Sequence, residues 1–159
     1  MKKLIASSII GLGLASSLSA ADCIMVPDLN VEFKNDSTVY MNNEERQEVV
    51  EFAKFLKKSG LYAIVEGHTS KFASAMYNYD LSQRRAVKVR TELIALGVNP
   101  KQIKGMGFGE SSPLYDNNTE IGAQKNRRVI AEVFNNSSEL ISYASSEKAR
   151  ISKIKYQEQ

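Results

Sequence analysis

Most side chains able to do chemistry fall between Glu66 and Arg85: the single histidine His68, the hydroxyls of Thr69 and Ser70, the amide of Asn78, and the charged groups of Asp80 and Arg85. His68, Ser70 and Asp80 are the residue types of a hydrolytic triad. A histidine and a serine two residues apart on one segment do not readily converge, however, and the nucleophile-elbow pattern G-x-S-x-G is missing. Catalysis is therefore not expected. Gly105-Met106-Gly107-Phe108-Gly109 departs from the dinucleotide fingerprint, and no Walker loop occurs. One histidine and one cysteine fall short of the three or four ligands that zinc wants. No cofactor and no metal are expected. Taken alone, a helical arginine such as Arg85 most often pairs with an acid on its own helix surface.

The elements that must position these groups follow from periodicity. Leu29 to Lys34 alternates, with Val31 and Phe33 on one face, and predicts a strand. Asn42 followed by Glu45 is a variant capping box. Behind it Val49, Phe52, Ala53 and Leu56 recur at helical spacing, and Lys57-Lys58-Ser59-Gly60 supplies the stop. Leu61 to Val65 is a short apolar run that predicts a strand buried on both faces. A second helix is expected from about Leu81 to Leu96, burying Ala86, Val89, Leu93 and Leu96. Lys101 to Met106 and Arg128 to Phe134 read as two further strands. The result is an α/β fold, a two-layer βαβαβ-β sandwich with helices packed on a mixed sheet. Arg127 and Arg128 alternate along the last strand and so face opposite ways.

The 159 residues carry 21 Lys+Arg and 18 Asp+Glu, with 43% hydrophobic residues. Composition of this kind belongs to a soluble globular domain. Lys2 and Lys3, an apolar run from Leu4 to Leu18 and Ser19-Ala20-Ala21 have the order of a secretory signal, expected to be removed as residues 1–21. What remains is nearly neutral, without the basic footprint that nucleic acid requires. Cys23 then lies in a short N-terminal segment, 22–28, as a lone accessible thiol or lipid attachment point. The domain proper is expected over 29–134. Beyond it, 135–159 is a polar tail in which Ala144, Ile151 and Ile154 could line a marginal helix. The tail docks either on the domain or on a partner, and together with Cys23 it is where another protein would engage.

Four motifs stand in order: Glu66-Gly67-His68-Thr69; Tyr77-Asn78-Tyr79-Asp80-Leu81-Ser82-Gln83-Arg84-Arg85-Ala86; Gly107-Phe108-Gly109-Glu110; and Asn126-Arg127-Arg128-Val129. Their types and intervals resemble the OmpA-like C-terminal peptidoglycan-binding domain across Leu29 to Phe134. The resemblance implies non-covalent binding to the peptidoglycan stem peptide, at its diaminopimelate, tethering the protein or a partner to the cell wall. It implies a periplasmic location, associated with the outer membrane. The free end of diaminopimelate bears a carboxylate and an ammonium on one carbon. Arg85 matches the family arginine that grips the carboxylate through its planar fork. Thr69, Ser70, Asn78, Asn126 and Arg127 complete the expected ligand-binding set, whereas His68 is expected to order the loop by hydrogen bonding.

One position departs from the family pattern. Ser70 stands where relatives usually carry the aspartate that meets the ligand ammonium. A hydroxyl still accepts a hydrogen bond but brings no charge, which would weaken binding roughly tenfold. Weak binding, recruitment of another acid such as Asp80, or a domain that has lost the ligand and kept only protein interactions are the three consequences open at this point.

Overall fold

The protein is described by a computed structural model over residues 25–154. Its elements are β1 (Asn30–Glu32), α1 (Glu44–Ser59), β2 (Tyr62–Gly67), α2 (Ala75–Ala95), β3 (Ile103–Gly107), α3 (Glu120–Asn126), β4 (Arg128–Phe134) and α4 (Ser137–Ser152). The expected signal segment and Cys23 lie outside the described residues. Four strands form one mixed sheet in the order β1-β4-β2-β3, with β2 parallel to β3 and β4 antiparallel to both β1 and β2.

The core lies between the sheet and the first two helices. Val31, Phe33, Ala63, Val65 and Val129 meet Val49, Phe52, Leu56, Val89 and Leu93, all of them essentially inaccessible. Each of these side chains larger than alanine contributes about 1.5–3 kcal/mol when fully withdrawn from water. At the start of α1, Asn42 Oδ1 accepts the Glu45 N–H at 3.1 Å, as the capping pattern predicts. The reciprocal arm goes elsewhere: the Glu45 carboxylate takes the Glu32 N–H at 2.8 Å and ties the helix to β1. Gly60 closes α1 at φ 69°, a left-handed geometry suited to glycine.

α2 begins six residues ahead of the expected Leu81, because Ser74 serves as its N-cap and accepts the Tyr77 N–H at 3.3 Å. Its first half presses on the ends of β2 and β3 at Ser82. A Cβ on Gly107 would come within 2.6 Å of Ser82 Oγ, and one on Gly67 would overlap the Ser82 carbonyl. Two glycines thus admit the helix backbone closely enough to bring Arg85 under the loops.

The opposite face of the sheet is covered by α4, which buries Leu140 and Ile151. Ile154 falls beyond the last helical turn. The even-numbered residues of β2 face α4: Glu66 Oε1 accepts the Tyr143 hydroxyl at 2.7 Å, and Phe134 stacks on Tyr143 at 5.2 Å. α3 was not anticipated. It is seven residues long, too short for a hydrophobic period, and is capped by Thr119, whose Oγ1 accepts the Gly122 N–H at 3.0 Å.

Candidate functional site

A cleft of about 680 Å³ lies where β1, β2 and α2 meet the segment leading into β4. Thr69 and Ser70 follow directly from β2 and form its base, both nearly inaccessible. Thr69 is held by its backbone, the N–H donating to Gly109 O at 2.9 Å. Its Oγ1 is buried and has no hydrogen-bond partner. Orphaned buried hydroxyls are uncommon in native folds, and this one sits on the wall of a cleft.

Arg85 lies at the inner wall and is fully buried. Its Nε donates to Ser37 O at 2.9 Å, Nη1 to His68 O at 3.2 Å and Nη2 to Lys34 O at 3.2 Å. The guanidinium also lies over the Phe33 ring, 5.2 Å from its centroid. Three of its five N–H groups therefore clamp the loop after β1 to the end of β2, which leaves two. Burial draws its pKa down to about 10, so it stays cationic at neutral pH.

Arg127 enters from the other side, with Nε donating to Gln124 Oε1 at 3.1 Å. Arg128, the next residue, points through the sheet to the α4 side, where Nη2 donates to Ser112 O at 3.1 Å. Two acids also line the cleft, Asp36 and Glu120. Asp36 takes a left-handed turn at φ 46°, and its carboxylate accepts the Tyr77 hydroxyl, which pushes that phenol's pKa up. Two cations and two acids around a hydroxyl floor suit a zwitterionic ligand group.

Residues 32–127 match the profile of the OmpA family. The chain belongs to the OmpA family. It is similar to outer membrane porin F of Pseudomonas fluorescens, at 40% identity over 107 residues, covering 67% of this chain and 32% of that protein. The peptidoglycan-associated lipoprotein of Pseudomonas aeruginosa is 38% identical over 77 residues, covering 48% of this chain and 46% of that one. The chain thus spans from about a third to about a half of the length of these relatives. Among solved structures, the peptidoglycan-associated lipoprotein from Burkholderia pseudomallei superposes with a TM-score of 0.60 at 27% identity, over 66% of this chain and 87% of that one.

Within this OmpA-family fold, five of the six residues singled out in the sequence line one cleft: Thr69, Ser70, Asn78, Arg85 and Arg127. Asn126 does not line it. Its Oδ1 accepts the N–H groups of Leu114 and Tyr115, both at 3.1 Å, while Nδ2 donates to Tyr115 O and Asn117 Oδ1, both at 2.9 Å. That side chain pins the loop ahead of α3. Asn78 has a comparable second duty, its Nδ2 donating to Ala73 O at 3.2 Å and to the Glu110 carboxylate.

Three expectations change. Asp80 is exposed on α2 and away from the cleft, so it does not substitute for an acid at position 70; Asp36 and Glu120 are the carboxylates present. His68 orders the loop through its main chain alone. Its ring lies on the α4 side against Phe108, 5.1 Å between centroids, with neither nitrogen hydrogen-bonded. It therefore cannot activate Ser70. The helical-surface reading of Arg85 also fails, because the side chain points into the fold.

Asp36 and Glu120 were missed for different reasons. Asp36 is brought to Arg85 only by the tertiary fold, from 49 residues away. Glu120 did leave a local trace: Thr119 followed by an acid is a helix-start signal, overlooked because the helix it opens is so short.

Proposed function

We propose that the cleft binds the diaminopimelate-bearing stem peptide of peptidoglycan without covalent chemistry, and so tethers the protein or a partner to the cell wall on the periplasmic side of the outer membrane. The observation that carries this reading is the unpartnered Thr69 hydroxyl in a cleft that Arg85, with two N–H groups uncommitted, also lines. In this reading Arg85 and Arg127 meet the ligand carboxylate, while Asp36 and Glu120 take the ammonium in place of the absent family aspartate. The polar tail offers a second contact with an envelope protein. The absence of a positioned base next to Ser70 supports binding over catalysis.

Calorimetric titration with a diaminopimelate-containing muropeptide, against a lysine-stem analogue, tests the proposal. Saturable heat that prefers diaminopimelate is expected, because the lysine analogue lacks the carboxylate. Equal affinity for the two, or no binding by the folded protein, sinks it. A second reading, a protein-interaction domain that has lost the ligand, is favoured by one observation: Arg85 already spends its fork on three carbonyls. The same titration separates the two.

Two substitutions probe the subsites. Thr69→Val should weaken muropeptide binding about tenfold while leaving the fold as stable or more so, since an unsatisfied buried hydroxyl is removed. A change in thermal stability without a change in affinity would mean that Thr69 does not meet the ligand. Ser70→Asp should tighten binding by about tenfold, by restoring a charged acceptor. Unchanged or weaker affinity would place the ammonium away from position 70.

A further inference from the structure

A second concavity lies away from the cleft, an open trough of about 470 Å³ between α2, β3 and α4. Val87 and Ile141 stand on opposite banks, 47% and 53% exposed, with Met106 between them. The charged residues lining the trough are all basic: Arg90, Lys104 and Lys148. Lys104 and Lys148 make no hydrogen bond or ion pair among the described residues. Elsewhere on these helices charges are matched locally, as in Lys88–Glu92 at 2.6 Å and Arg150–Glu147 at 2.7 Å. An apolar strip flanked by unmatched cations is complementary to an apolar strip flanked by acids.

β3 is the edge strand of the sheet, yet it is poorly suited to accept another strand. The outward carbonyl of Ile103 already accepts Arg90 Nε at 2.9 Å, and the outward N–H of Gly107 donates to Gln83 Oε1 at 2.7 Å. Strand addition needs those groups free, so side chains must carry any docking. On α4, Ile141, Ala144, Ser145 and Lys148 follow the i, i+3, i+4, i+7 pattern of one helical face. Leu140 and Ile151, which dock α4 on the sheet, flank that stripe on its buried side. The stripe is about 10 Å long, two turns of helix. Its middle is small, as is Gly105 on β3, so a partner backbone can come close.

We propose that this trough docks an acidic amphipathic helix of a partner protein, its apolar residues at i and i+3 or i+4 seated between Val87 and Ile141 and its carboxylates paired with Lys104 and Lys148. This surface is separate from the muropeptide cleft and does not depend on it.

Fluorescence anisotropy of a labelled synthetic helix, with leucines on one face and glutamates flanking them, tests the proposal on the whole folded protein. Saturable binding is expected that weakens with salt, drops at least about tenfold in the Lys104→Glu/Lys148→Glu double variant, and falls likewise when the peptide glutamates become glutamines. Both lysines are exposed, so the variant retains the fold, as circular dichroism would verify. Absence of saturable binding up to about millimolar protein, or equal affinity for the charge-reversed variant, overturns it. Phosphatidylglycerol vesicles form a third arm. Vesicle binding that is lost on the same reversal, with no peptide binding, would assign the trough to an anionic lipid surface and reject a protein helix.

Discussion

Arg85→Ala is expected to lower the free energy of unfolding by about 3 kcal/mol or more and to abolish retention of the protein on isolated sacculi. The stability part follows from the bonding of the guanidinium. Three carbonyls lose their donor together: His68 O, which is buried, and Lys34 O and Ser37 O, which are partly buried and rehydrate more easily; a buried acceptor left unsatisfied costs about 1–3 kcal/mol. Partial entry of water into the space vacated by the side chain offsets some of that sum. Arg85→Lys keeps the charge but cannot span three diverging acceptors, so it should fall between alanine and wild type in a urea titration. Because the residue serves both the fold and the cleft, binding by the alanine variant must be measured where it remains folded. Lost stability with undiminished retention would make Arg85 a loop clamp only and assign the wall contact to other residues of the cleft. Lost retention at unchanged stability would contradict the buried hydrogen-bonding just described.

The second large effect concerns pH. His68 is buried between Phe108 and a cluster made of Glu66, Arg128, Tyr143, Glu147 and Arg150. Its Nε2 lies 3.6 Å from Glu66 Oε2. Burial first, and then the charges of Arg128 and Arg150, hold its pKa well below the ordinary 6.5. The unfolded chain therefore takes up a proton before the folded one, and stability falls by about 1.4 kcal/mol per pH unit below about 6.5. Glu66 works in the opposite sense: burial raises its pKa, so the folded state binds that proton first and the loss flattens toward pH 4.5. Between pH 7 and pH 5 the His68 contribution is at most about 2 kcal/mol, and Glu66 reduces the net change below that. His68→Leu, which keeps an apolar contact with Phe108, should remove most of it. Urea midpoints that are flat over this range in the wild type, or that slope equally in the variant, would refute the assignment to His68.

Legibility in the sequence tracked how local each determinant is. The burial of Val49, Phe52, Ala53 and Leu56, the Asn42 cap and the Gly60 stop were all readable, because helix periodicity and capping are decided within a few residues. Arg127 and Arg128 do face opposite ways, but not by strand alternation, since Arg127 is the C-cap of α3 and β4 begins only at Arg128. The start of α2 was misjudged because the Ser74 cap precedes a turn of exposed Met76, Tyr77 and Tyr79, which has no apolar stripe to announce it. For the cleft, motif resemblance pointed to Thr69, Ser70, Asn78, Arg85 and Arg127 as one group. It could not reveal that Asn126 spends its amide on the loop of Leu114 to Asn117, since that bonding exists only in three dimensions. The acids followed the same rule, as Asp36 reaches the cleft only through the packing of β1 beside β4.

The strand order has a kinetic corollary. β4, the last strand in the chain, is inserted between β1, the first, and β2. Until residues 128–134 arrive, β1 has no strand to pair with and the sheet is only the parallel pair β2–β3. The cleft draws on residues from Asn35 to Arg127, so its walls come together only at that final insertion. Pairings this distant in sequence are slow to form, because loop closure must be met before they yield any stabilisation. A chain emerging in order from its N-terminus therefore completes the cleft in a single late step.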